Sequence, residues 1–171
     1  IVPTYLVPKI RMERKKLIII AFLGRALSLG ALFFVDYSNI KAVIVCLILV
    51  GLFNYETGMM SALIAPAIDD AEVKSGKRMD GTVFAMVNLF AKIASAVGGA
   101  IGLLVMGAMG YVANADQTPL AMRGINIAAN VLPAVFCLLA IIPIALYSLD
   151  SKKIAENTKI LAQRHQNSEN E

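Results

Sequence analysis

An all-α membrane protein is the fold class this sequence predicts, on three observations. Hydrophobic residues make up 58% of its 171 positions and charged residues only 16%. The mean hydropathy is +0.70. The charges gather in short clusters that separate apolar runs long enough to cross a hydrocarbon core. A soluble domain of this size carries more charge and fewer long apolar runs.

Taken in order, residues 1–8 are apolar but too short to span, and read as the end of a helix begun earlier. A basic loop follows, with Lys9, Arg11, Arg14, Lys15 and Lys16. The first complete span is expected over 17–35, which at 1.5 Å per residue covers about 28 Å. A polar turn at Asp36 to Asn39 leads to a second span over 42–66. A charged hairpin occupies Asp69 to Gly81, where Gly76 and Gly81 let the chain turn and restart a helix. The third span, 82–110, is long enough to tilt or to project beyond the membrane. A polar loop over 111–126 precedes the fourth span, 127–149, which Pro133 and Pro143 should bend. The chain thus divides into a transmembrane part, 1–149, and a polar tail, 150–171, whose end from Gln163 is expected to be disordered. Four complete transmembrane helices and the end of a fifth are the expected content. With no initiator Met and no signal-peptide pattern at Ile1, the chain reads as part of something longer.

Charge sets the orientation. Twelve Lys and Arg fall in the loop 9–16, the hairpin and the tail, which share one side; Lys41 and Arg123 alone fall on the other. The positive-inside rule makes the hairpin and C-terminus cytoplasmic. The net charge of +4 implies no nucleic-acid partner, because the bases flank apolar spans. Cys46 and Cys137 lie in apolar runs as small hydrophobes, without metal or disulfide spacing. The lone His165 lies in the tail, and no acidic pair offers an enzyme's chemistry.

Three ionisable residues interrupt the spans: Arg25, Glu56 and Lys92. Each costs a few kcal/mol at the bilayer centre and so demands a polar partner or water. All three fall roughly 12–15 Å deep, the level at which secondary transporters bind substrate. Asn88, Lys92, Ser95 and Gly99 form one helical stripe, able to line an aqueous cavity. Ala94, Gly98 and Gly102 form a small-residue series suited to helix packing. The alternative for Lys92 is a structural ion pair with Glu56; Arg25 is either a cavity cation or a cation paired with an acid outside this chain.

The hairpin Asp69-x-x-Glu72-x-Lys74-Ser75-Gly76-Lys77-Arg78-x-x-Gly81, together with Lys92 in Phe90-Ala91-Lys92-Ile93, resembles the C-terminal half of the glycoside–pentoside–hexuronide:cation symporters. These are melibiose-carrier-like members of the major facilitator superfamily. Gly98-Gly99-Ala100, Gly107 to Tyr111, and Pro133 with the closing Tyr147-Ser148-Leu149 extend the likeness over nearly the whole chain. It departs where Pro66 stands for an Asp and Asp70 for an aromatic. The resemblance implies part of a twelve-helix bundle in the bacterial inner membrane. It implies cation-coupled symport of a sugar or glycoside/uronide-type solute by alternating access, with the other half supplied by sequence before Ile1. The expected site residues are Lys92, Glu56, Arg25, Asn88 and Ser95 for solute or coupling, and Asp69, Glu72, Lys77 and Arg78 for a cytoplasmic gate. No bound cofactor is expected, only a coupling Na+ or H+; the bilayer and a small sugar-like solute are the partners. The competing possibility is a non-transporting scaffold subunit whose buried charges hold helices together.

Overall fold

The computed structural model describes residues 14–169, and throughout that range the regular structure is helical. The basic residues before Arg14 and the apolar segment 1–8 lie outside the described residues. Helix α1 (Arg14–Phe34) is the axis of the bundle. Its Leu17, Ile18, Ala21, Ala26, Leu29 and Leu32 are buried, while Leu27 and Phe34 face outward. Helix α2 (Ile40–Leu52) follows a tight turn in which Asp36 Oδ1 accepts from Ser38 N–H and Asn39 Oδ1 caps Ala42 N–H.

The expected span 42–66 is not one helix. It is divided into α2, a short α3 (Glu56–Ser61) and the start of α4 (Ile64–Ser75). Two local causes account for the breaks. Around 53–55 the side chains are claimed by α1: the Phe53 ring occupies the space where Gly24 would carry a Cβ, and Tyr55 donates its hydroxyl hydrogen to the Leu17 carbonyl. At 62–63 the cause is Pro66, which has no N–H and crowds the carbonyl four residues before it, that of Ala62. Helix α4 then runs on through much of the expected hairpin. The only non-helical residues there are Gly76 to Met79, and Gly76 ends α4 in the left-handed conformation (φ 70°) that a Cβ would penalise.

Helix α5 (Asp80–Ala108) has no buried residue and meets the rest of the bundle chiefly through residues 119–131. The loop after it is ordered by Gln117, whose amide donates to the carbonyls of Val112 and Ala115, both at 2.6 Å. The last expected span begins earlier than 127, because Thr118 caps Ala121 N–H with Pro119 at the first turn of α6 (Pro119–Asn126). A π turn over Ile127–Val131 joins α6 to α7 (Leu132–Leu146). Pro133 withdraws the N–H that would close an α-helical bond, and the register relaxes so that Leu132 N–H reaches Ile127 O.

Helices α1 and α7 form the most extensive helix pair, with Ala26, Leu29, Ala134 and Cys137 at its centre. Their polarity is fixed at one end by Lys15 Nζ, which donates to the carbonyls of Ala145, in the last turn of α7, and of Tyr147 just after it. At the other end Asn126 Nδ2 donates to Phe33 O, and Asn130 Nδ2 donates to the hydroxyl of Tyr37 at 2.8 Å. The start of α1 and the end of α7 therefore share one side, and the turns 36–39 and 111–118 the other, as the charge count requires. The tail is not disordered from Gln163: α8 (Ser151–Glu169) is helical to Glu169, begun by Asp150 Oδ1 accepting from Lys153 N–H. It lies against α4, which is why it is held.

Among the described residues, three helical segments are long and apolar enough to cross a membrane: Lys15–Phe34, Asp80–Ala108 and Pro119–Leu146. The apolar Ile40–Leu52 is shorter.

Candidate functional site

A cavity of about 730 Å3 lies between α1, α5 and the π turn with α7. Arg25 on α1 is its only charged lining residue among the described residues, and Ser95 on α5 its hydroxyl. Phe22 and Phe136 supply aromatic surface, and Ala94, Gly98 and Gly99 form a wall of small residues. A methyl on Gly98 or Gly99 would meet nothing within 4 Å, so these glycines keep the cavity wide and are not packed against a neighbour. The volume falls within the usual range for small-molecule pockets.

Arg25 is half-buried, and its position follows from the break in the second span. The approach of Phe53 to Gly24 brings the next residue, Asn54, beside Arg25. Asn54 Oδ1 accepts from Arg25 Nη1 at 2.9 Å. One turn beyond Arg25, Ser28 is buried and returns its hydroxyl hydrogen to Gly24 O at 2.7 Å. Ala128, in the π turn, and Pro133 close the side opposite α5. A π turn at a cavity wall is a recurrent feature of functional sites, because it shifts side chains out of α-helical phase.

Of the five expected solute or coupling residues, Arg25 and Ser95 line this cavity. Lys92 and Asn88 do not; both are exposed on the N-terminal part of α5. The side chain of Glu56 lies outside the described residues. Among the described residues the small-residue series meets no neighbouring helix: Ala94 and Gly98 line the cavity, and a Cβ on Gly102 would touch nothing. Asn54 is a partner for Arg25 that the sequence reading does not name, because pairing the two requires knowing that the second span breaks.

The hairpin charges form a second cluster. Arg78 bonds Asp80 Oδ2 through Nε at 2.6 Å and Glu72 Oε2 through Nη1 at 3.1 Å, with Asp69 Oδ1 at 3.9 Å. This fork holds α4 and α5 together across the turn. The Asp80 carboxylate beside it raises the Arg78 guanidinium further above its already high value. Lys77 is exposed, and its backbone is pinned by Ser75 Oγ, which accepts from Lys77 N–H. Asp70 is buried, and two donors reach it: Lys74 Nζ at 2.5 Å and Asn157 Nδ2 of α8 at 3.0 Å. Those two bonds hold the Asp70 carboxyl below its ordinary value, Lys74 first and Asn157 second, against the opposing effect of burial.

Apolar helices of spanning length, around a cleft with a guanidinium at mid-helix depth, define an integral membrane protein of transporter type. The chain belongs to the MFS/sugar transport protein family, whose pattern matches residues 4–151. It is 38% identical over 154 residues to the uncharacterized symporter YnaJ of Bacillus subtilis (strain 168), covering 90% of this chain and 33% of that protein. It is 35% identical over 98 residues to the glucuronide carrier protein homolog of Escherichia coli (strain K12), covering 57% of this chain and 21% of that one. It is 31% identical over 97 residues to the isoprimeverose transporter of Lactiplantibacillus pentosus, covering 57% and 20%. These relatives are symporters and carriers rather than enzymes, in agreement with the glycoside–pentoside–hexuronide:cation symporter resemblance. The chain spans about a third of the length of the Bacillus symporter it matches. No solved structure matches.

Proposed function

We propose that this chain is the C-terminal part of a cation-coupled symporter for a sugar or a glycoside/uronide-type solute. The observation that carries this is the cavity holding Arg25 and Ser95, within a chain of the sugar transport family. The carriers named for a glucuronide and for isoprimeverose support a sugar-like solute. A guanidinium offers several donors in a plane, suited to sugar hydroxyls or to the carboxylate of a uronide. Aromatic rings such as Phe22 and Phe136 suit the apolar faces of a sugar ring. The coupling ion is Na+ or H+.

In this mechanism the missing N-terminal half closes the open side of α5. The two halves then rock about a site near the middle of the bilayer. Lys92 and Asn88, exposed on α5, would face that other half, beside the solute or a coupling charge. Asp69, Glu72, Lys77 and Arg78 belong to a cytoplasmic gate that engages loops of the other half when the inner side is shut. Exposed ion pairs are weak singly, but several together bias such a gate by about 1–2 kcal/mol. The strong excess of bases on the hairpin side supports a cytoplasmic hairpin and C-terminus, in a bacterial inner membrane.

The test is uptake of labelled glucuronides and neutral glycosides by the full-length carrier under an imposed Na+ or H+ gradient. Gradient-dependent accumulation that falls in Arg25→Ala and in Lys92→Ala is the expected outcome. Accumulation of no such solute under either gradient would remove the proposal, and a scaffold role would take its place.

A further inference from the structure

The hairpin cluster is held from behind by the C-terminal helix. Helix α8 packs against α4, and Asn157 and Leu161 of α8 are buried, as are Ile68 and Asp70 of α4. The Asn157 amide donates to Asp70 Oδ1, a bond between two residues 87 positions apart. Two turns further along α8, Arg164 donates through Nη2 to Val73 O at 3.2 Å and through Nη1 to Glu72 O at 3.5 Å. Those carbonyls belong to the last turn of α4, where a cation is favoured by the helix dipole and the orphan acceptors. Asp70 and Glu72 point from the same short stretch to different partners: Asp70 to α8, and Glu72 to Arg78. The α8 contacts thus fix the last two turns of α4, the stretch that presents Asp69 and Glu72 to Arg78.

We propose that Asn157 and Arg164 are positioning residues for the hairpin gate, with Asp70 as the hook through which α8 seats it. This role rests on the transport mechanism above. It applies to this chain in particular, because Asp70 places a carboxylate acceptor where the resembling family has an aromatic. Releasing α8 lets the end of α4 shift, so the Glu72–Arg78 geometry is lost while the cavity residues stay in place. Turnover then changes and solute affinity does not.

The test uses the full-length carrier in proteoliposomes, with two readouts. Trypsin cutting at Lys152, Lys153, Lys159 and Arg164 reports undocking of α8 without reference to transport. Initial uptake rates report turnover and half-saturation. Asn157→Asp is isosteric and sets two carboxylates against each other in a buried contact. It should speed release of the tail by about tenfold and lower maximal uptake several-fold at unchanged half-saturation. The exchanged pair, Asp70→Asn with Asn157→Asp, restores a donor–acceptor contact and should recover both readouts, which traces the loss in the single variant to the Asp70–Asn157 pair. Faster tail cleavage with unchanged uptake would overturn the role, leaving α8 as a docked tail only. Unchanged cleavage in Asn157→Asp would overturn the hook. A protected tail on a wild-type carrier that moves no solute would instead remove the transport mechanism, and this role with it.

Discussion

Replacing Gly24 with Ala tests how the cavity arginine is positioned. The added Cβ would overlap the Phe53 ring, with the ring Cζ at 2.6 Å, where ordinary contact begins near 3.4 Å. The ring must withdraw by roughly 1 Å to regain normal carbon–carbon separation. Overpacking of this kind costs about 1–3 kcal/mol. Opposing it, Ala is favoured over Gly inside a helix by up to about 1 kcal/mol. The net effect is destabilising while Phe53 is present and stabilising once the ring is removed. Chemical-denaturation midpoints of the purified full-length protein in detergent, measured for Gly24→Ala, Phe53→Ala and the double variant, form the cycle. The expected result is a change of sign for Gly24→Ala between the two backgrounds. Uptake by Gly24→Ala should also fall, because Asn54 moves with Phe53 and its bond to Arg25 Nη1 is disturbed. Equal effects of Gly24→Ala with and without Phe53 would refute the steric account and the placement of Arg25 derived from it.

Other outcomes follow from the same geometry. Gly98→Leu should fold normally, since nothing lies within 4 Å of its Cβ, yet should lower uptake by narrowing the cavity; a thermal melt beside the uptake curve separates the two effects. Arg78→Ala should lower maximal uptake more than solute affinity, and normal turnover would count against a gate at the hairpin. Leu161→Ala removes a buried side chain from the α4–α8 contact at about 2 kcal/mol or more, which tail cleavage by trypsin should register as faster release. Docking of α8 should be insensitive to pH from neutral to mildly acidic. The folded Asp70 lies below its ordinary 3.8, so its contribution is complete above 3.8 and is lost only as pH falls from there through the lowered value. Fluorescence anisotropy of a probe on Gln163→Cys reads this directly, and undocking near pH 6 would contradict it.

The helical class, the apolar segments and the sidedness of the loops were legible because hydropathy and charge count act over whole segments. The breaks in the second span were not, because they are made by neighbours: Phe53 on Gly24, Tyr55 on Leu17. Pro66 is a visible local signal, but it marks the end of a span and the cause of a break before it equally well, and only the structure distinguishes the two. Arg25 and Ser95 could be singled out as polar residues in apolar runs, and the structure brings both to one cavity. Lys92 and Asn88 share a helical stripe with Ser95, yet a stripe 11 residues long covers about 16 Å of helix, more than the cavity's reach along α5. The α8 contacts were illegible for a different reason. Polar composition alone gives the tail no core to build, and its order comes from a partner far away in sequence.

The separation of α1 from α7 has a consequence for how the chain is made. Roughly a hundred residues lie between the end of α1 and the start of α7, which a ribosome adds in about 5–20 s. Throughout that interval α1 enters the bilayer with Arg25 and without its principal neighbour. Asn54 arrives only about thirty residues after Arg25, on the order of a few seconds. The nascent pair of α1 with α2 and the break after it is therefore the first shelter for the guanidinium. Damage at Phe53 or Asn54 should then lower the yield of inserted protein before any solute is met.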